Sequence, residues 1–223
     1  MTKFHRHSNG GGLVADTARV SDTAFIGPNA RVFGNAEVYG NAIVFGNAVI
    51  SGDAVVYGNA KVSGNARVYN NAKVSDDARV YSNAKVYGNA RVCDNAVVCD
   101  NAIVSGDARV YGDARVFDNA VVCDNASVSD DAIVCDHARV FGDAKVFGDA
   151  LVSKPFPKIT RSDRYDFILV PDKDGVDRII AGCRYFSIEE AIEHWTETRG
   201  GTKLGTETLK IIDMLQELKS IID

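Results

Sequence analysis

The sequence predicts an all-β chain dominated by a triangular parallel β-solenoid, on three observations. A six-residue phrase, V-x-[GD]-[ND]-A-x, runs twenty-three times without interruption from Val14 to Leu151. Its period fits neither a helix nor a flat strand. Asn, Asp and Gly recur at fixed places, and these residues reach the left-handed backbone region at least cost. In Val32-Phe33-Gly34-Asn35-Ala36-Glu37 the reading is an inward Val, an outward aromatic, a Gly-Asn corner, a small Ala inside the bend and an outward charge.

Three phrases close one 18-residue coil, and twenty-three make 7 to 8 coils stacked through parallel ladders about 4.8 Å apart. One Val buried per phrase does not offset the entropy of ordering six residues, so a lone coil is unstable and stability belongs to the array. Both ends of such a stack need covering. Three segments are expected: an irregular N-terminal cap over residues 1–13, the solenoid over 14–153, and a C-terminal ββαα module over 154–223, set off by Lys154-Pro155-Phe156-Pro157.

The tail elements follow from local signals. Tyr165–Val170 and Arg178–Cys183 read as two strands around the turn Pro171-Asp172-Lys173-Asp174-Gly175. Ser187-Ile188-Glu189-Glu190 has capping-box spacing and opens a helix to about Arg199, ended by Gly200-Gly201. A second helix from about Thr206 places Leu209, Ile212, Leu215, Leu218 and Ile222 at helical spacing. Cys183 and His194 read as core packing rather than a thiolate pair, since no third orienting group accompanies them.

Composition bounds function. The net charge of −5 argues against nucleic-acid binding. No stretch has the roughly 18 apolar residues of a membrane span, and no secretory leader precedes the repeats, so a cytoplasmic protein is expected. Cys93, Cys99, Cys123 and Cys135 follow inward valines and read as surface thiols of a reducing compartment. No Cys-x-x-Cys spacing exists, and no metal is expected. Asp77, Asp113, Asp131 and Asp149, joined by Asp76, Asp94 and Asp130, share one edge, where Asp serves as the turn alternative to Asn.

Sorting outward residues by a period of 18 gives one face with Phe25, Ile43, Val97, Ile133 and Leu151, interrupted by Lys61, Arg79 and Arg115 and widened by Phe45, Tyr81 and Phe117. A second face carries Val49, Ile103 and Val121, and a third only Val55. The first is more apolar than a monomer ordinarily exposes, which points to a homotrimer about a threefold axis. The alternative is that the tail folds back onto it. Six successive phrases supply cations, Lys61, Arg67, Lys73, Arg79, Lys85 and Arg91, interleaved with Tyr57, Tyr69, Tyr81 and Tyr87. The favoured reading balances the corner carboxylates; the other is a binding surface for a small anion, nucleotide or sugar.

The phrase resembles the hexapeptide-repeat family, and the resemblance covers residues 14–151. It implies a single-stranded left-handed parallel β-helix and a trimer. The tail, from Gly182-Cys183-Arg184-Tyr185-Phe186 to Thr198-Arg199-Gly200-Gly201-Thr202, is similar to those of uncharacterised hexapeptide-repeat proteins of bacteria and phages. Many family members are acyltransferases using coenzyme A or acyl carrier protein and a histidine base in a subunit cleft. Only His137 lies within the coils, and it stands at a corner, where histidine tolerates the left-handed conformation. No inserted loop shapes a substrate pocket. The expectation is therefore an oligomeric binding or scaffold protein without catalysis or cofactor, holding a small molecule, or a partner protein through its tail; the alternative is an acyltransferase with coenzyme A as co-substrate and His137 as base.

Overall fold

The computed structural model describes residues 2–154 and 156–222; Met1 of the expected cap and Pro155 of the expected stop lie outside them. The chain opens with β1 (Phe4–Arg6). Strands β2 to β25 follow, from Leu13–Ala15 to Leu151–Val152, each of two residues after the first. They stack into three parallel sheets of eight solenoid strands, one per face. Every strand pairs in register with the one 18 residues on, as in Lys61 with Arg79 and Val62 with Val80. The hexapeptide period thus becomes an eight-coil prism.

Its interior follows from the phrase. The inward valines from Val32 to Val146, with Ile26 and Ile50, and the alanines beside them are buried in one continuous core. From Gly34 to Gly148 the left-handed residue is the first of each corner pair, Gly34 at φ +72° or Asp76 at φ +60°, not the residue that follows it. Coils stack so closely there that a Cβ on Gly34 would lie 2.8 Å from the Gly52 nitrogen. Asp and Asn tolerate the conformation because their short polar side chains bond locally. The Asp94 carboxylate, for example, accepts from the Gly112 N–H at 3.0 Å.

Corner side chains also pair between coils. Along the edge after the Phe25 face, Asn47, Asn65, Asn83, Asn101 and Asn119 form a ladder in which each amide donates to the next carbonyl oxygen at 3.0–3.2 Å. Identical amides at the strand spacing satisfy one another, as in cross-β stacks.

The N-terminal cap is more regular than expected. Phe4–Arg6 pairs antiparallel with Leu13–Ala15, because Gly10 and Gly11, both at positive φ, let the chain reverse beside Ile26. His7, at the start of this hairpin's turn, is buried, and among the described residues its Nε2 has no hydrogen-bond partner.

The tail has four strands where two were expected: β26 (Lys158–Thr160), β27 (Asp166–Pro171), β28 (Asp177–Ala181) and β29 (Arg184–Ser187), antiparallel in that order. The third strand stops at Ala181 because Gly182, at φ +63°, and Cys183 form a two-residue hairpin turn. α1 (Ile188–Arg199) starts with both bonds of the Ser187–Glu190 capping box; α2 (Lys203–Ile222) begins three residues before the expected start. Alternation along the sheet makes it a middle layer. Ile168, Val170 and Ile180 complete the solenoid core, while Phe167, Leu169 and Ile179 pack on Trp195, Ile212 and Leu215 of the helices. Leu218, expected on the packed helix face, is exposed, because buried Ile211 shifts that face.

This arrangement covers the C-terminal end of the prism. The Tyr185 hydroxyl donates to Asp149 at 2.9 Å, its ring packs on Phe147, and Ala150 bridges to Asp172. The tail does not fold back over the Phe25 face as a whole; of the expected contact residues there, Leu151, at the end, borders a pocket with Phe156 and Leu169.

Candidate functional site

The Phe25 face gathers its expected residues in one sheet: Phe25, Ile43, Val97, Ile133 and Leu151 stack with Lys61, Arg79 and Arg115 between them. Phe45 is 43% exposed and Phe117 partly so. Arg115 lies over the Phe117 ring at 5.6 Å, so its aliphatic stem extends the apolar strip.

The cationic belt divides among three faces. Lys61 neighbours Arg79 on the Phe25 face, Arg67 neighbours Lys85 on the Val49 face, and Lys73 neighbours Arg91 on the Val55 face. All six are exposed, and among the described residues none makes an ion pair, with a corner carboxylate or any other. Tyr81 stays with the Phe25 face, whereas Tyr69 and Tyr87 stack on the Val49 face with centroids 4.9 Å apart and an interplanar angle of 10°. Of the nine expected binding residues, four therefore converge: Arg67, Lys85, Tyr69 and Tyr87. The first three, with Arg31, Phe33, Val49 and Ser51, line a shallow groove of about 380 Å³.

His137 stands exposed at the edge, in line with the asparagine ladder and just past Asn119. The left-handed residue of its corner is Asp136, at φ +55°, so backbone tolerance does not explain the histidine. Its side chain makes no hydrogen bond among the described residues.

The coil cysteines depart from the surface-thiol reading. Cys99 and Cys135 are only 6% and 7% exposed, because neighbouring outward side chains cover them; Cys93 and Cys123 are half-buried. Each is followed by an aspartate that accepts from its thiol, from 3.4 Å at Cys99 to 3.9 Å at Cys93. Burial, and then the adjacent carboxylates, push the Cys93 and Cys135 thiols up to about 11. The recurring Cys-Asp dipeptide was the sequence signal for this inertness. Asp76, Cys93 and Asp94 place potential donor atoms within 4.8 Å of one another. Cys183, expected in the core, is exposed in the β28–β29 turn, whereas His194 packs against Phe186 and Trp195 at 5.1 and 5.2 Å; the two form no pair.

A larger cleft, unforeseen in the sequence, lies where the Val55 face meets the tail. It encloses about 480 Å³ between the outward side chains around Ser127 and the Gly182–Cys183 turn.

Sequence comparison matches a family model described as YdcK beta solenoid repeat at residues 36–52, 60–75, 84–100 and 108–124. The coils are built of hexapeptide β-solenoid repeats. Successive YdcK matches start 24 residues apart, four phrases rather than one coil, so the match follows the hexapeptide and singles out no face. No curated protein matches the sequence. Among solved structures, a candidate acetyltransferase from Bacillus cereus aligns at 14% identity and TM-score 0.32, over 91% of this chain and 92% of its own. A hexapeptide transferase family protein from Anaplasma phagocytophilum gives 15% and 0.34, over 93% of each chain. The Arabidopsis UDP-N-acetylglucosamine acyltransferase gives 13% and 0.30, over 92% and 91%. At such TM-scores these likenesses assign no catalytic role to any residue here.

Proposed function

We propose that the protein is a homotrimeric, non-catalytic binding scaffold of the cytoplasm, associated through the Phe25 face. The observation that carries this reading is that apolar face. The tail leaves it open from Phe25 to Ile133, and Phe45, Phe117 and Ile43 extend it along the prism. A rigid column of eight coils presents one such strip per protomer, and three strips close around a threefold axis. Native mass spectrometry and sedimentation of the full chain test this: three times the chain mass is expected. A monomer at micromolar concentration overturns it. Ile43→Arg with Phe45→Arg is expected to release folded monomers.

The ligand surface of this scaffold is the Val49 face. Arg67 and Lys85, free of carboxylate partners, sit beside the stacked Tyr69–Tyr87 pair, an arrangement suited to a small anion with a planar or sugar group. Arg67→Ala with Lys85→Ala should abolish binding of such an anion and leave the trimer intact. A partner protein docking on the exposed side of the tail, and an association of the protein itself with phages, are the remaining parts of this reading.

One observation favours a second reading as an acyltransferase. His137 breaks an otherwise uniform asparagine column, and its imidazole is exposed beside Asp136 at an edge that trimer formation could enclose. In that reading coenzyme A is the co-substrate and His137 the base. Coenzyme A binding to the trimer, with acetyl transfer lost in His137→Ala, would support it; full activity in that variant would remove His137 from the chemistry.

A further inference from the structure

On the Val55 face, Arg109, Ser127 and Lys145 lie side by side in ladder register. Ser127 is the only serine among the twenty-three residues that precede an inward Val. The next outward row repeats the shape, with Ser129 between Tyr111 and Phe147. Two short side chains thus sit together between four long ones and leave a notch. The turn Gly182–Cys183 overhangs it and turns the notch into the cleft of about 480 Å³. That volume falls in the range of small-molecule sites. The Val49-face groove has a comparable pair of arginines, Arg31 and Arg67, but an apolar Val49 between them and no overhanging wall.

The chemistry of the lining is specific. Arg109 and Lys145 stand two strand spacings apart, roughly 9.6 Å between backbones, and among the described residues neither side chain makes an ion pair or hydrogen bond. An anion between two such cations, above the Ser127 hydroxyl, is attracted to both. Ser129 is only 6% exposed, and among the described residues its hydroxyl makes no hydrogen bond. At the rims, Asp107 and Asp130 each use one carboxylate oxygen within the solenoid, accepting from Asn89 and Gly148, and so retain the other for outside hydroxyl donors. Tyr111 offers an exposed ring edge. Cations at the centre, carboxylate acceptors at the sides and an aromatic wall match a phosphoryl group joined to a polyhydroxylated ring.

We propose that this cleft binds a phosphorylated sugar, the phosphoryl group between Arg109 and Lys145 and the sugar hydroxyls against Asp107, Asp130 and Ser129. The site is separate from the Val49-face surface and does not depend on it.

Calorimetry on the full chain with glucose 6-phosphate, AMP, glucose and inorganic phosphate tests the assignment. At least one phosphorylated sugar should bind, with glucose and phosphate alone weaker by about tenfold or more. The stronger of the two distinguishes a free sugar phosphate from a nucleotide. Made in a chain that already carries Arg67→Ala and Lys85→Ala, so that the Val49 face is silent, Arg109→Ala and Lys145→Ala should each weaken binding by about tenfold, Ser129→Phe should fill the notch and abolish it, and Arg139→Ala should leave it unchanged. The two cations are surface residues, so their variants remain informative if Ser129→Phe fails to fold. The proposal is overturned if neither phosphorylated sugar binds at millimolar concentration, if inorganic phosphate binds as tightly as both, or if Arg109→Ala and Lys145→Ala have no effect.

Discussion

The Asn83 side-chain amide donates to the Asn101 carbonyl oxygen at 3.2 Å, one coil away, and Asn101 in turn donates to Asn119 at 3.2 Å. Sequence neighbours 18 residues apart are thereby tied at the corner as well as through the strand ladder. Asn101→Ala removes both amide bonds while leaving the left-handed Asp100 in place. A loss of about 1–2 kcal/mol is expected, at about 1 kcal/mol per bond. Thermal unfolding of wild type and variant measures it, and an unchanged midpoint would show that solvent replaces the ladder at no cost.

The cap is latched by Tyr185. Tyr185→Phe keeps the ring on Phe147 and loses the hydroxyl bond to Asp149, whereas Tyr185→Ala loses both. Limited proteolysis should therefore cut the tail of Tyr185→Ala much faster than wild type, with Tyr185→Phe in between. Equal cleavage of all three would mean that Ile168, Val170 and Ile180 hold the cap by themselves.

Thiol reactivity should separate the five cysteines. Cys93 and Cys135, held near 11, carry almost no thiolate at neutral pH, and Cys99 and Cys123 are raised by burial as well. Iodoacetamide at neutral pH should label exposed Cys183 first and reach the coil cysteines only at raised pH, Cys93 and Cys135 not until it approaches about 11. Mass spectrometry of the peptides reads the order; early labelling of Cys93 or Cys135 contradicts it.

Acid should loosen the tail through Asp172. Burial opposes ionisation of this carboxyl, but the Val176 N–H, the Arg178 guanidinium and the Asp174 N–H outweigh it and hold the group below the ordinary carboxylate range. A depressed folded value contributes stability that is present above the unfolded value of about 3.9 and is lost as pH falls through the folded one. Asp163, held down by Arg161, and Glu207, held down by Ser162, act in the same direction. Fluorescence of the sole tryptophan, Trp195, buried in the tail core, reports the transition. Asp172→Asn should be less stable at pH 7 and show a shallower loss below about pH 4. An identical acid profile in the variant would exclude Asp172 as a contributor.

Much of this architecture is legible residue by residue. The 18-residue spacing that places Phe25 with Ile43 and Arg67 with Lys85 is repeated so often that no single substitution obscures it. The Ser187–Glu190 cap is equally local. Other features carry no local signal. Lys158–Thr160 and Arg184–Ser187 become strands because β27 and β28 offer them edges, not because of their own composition. Cys99 and Cys123 occupy equivalent places in the phrase, yet Cys99, flanked by Tyr81 and Phe117 in the adjacent coils, is buried, whereas Cys123, flanked by Ser105 and Phe141, is only half so. The Ser127 cleft was hidden for the same reason: a serine becomes a notch only when long side chains stand 18 residues away on either side and a distant turn overhangs it.

By itself, the amino-acid order determined the coil, the inward columns of Val and Ala, the three outward faces and the start of the first tail helix, since each is set by backbone preferences and spacing within a few residues. Tertiary structure alone decided that the tail seals the prism end rather than covering the Phe25 face, that two coil thiols are buried, and that Arg109, Lys145, Ser129 and the Gly182–Cys183 turn surround one space. These relations join segments far apart in the chain, and the free energy that selects among such pairings comes from burial of surfaces that no local window contains.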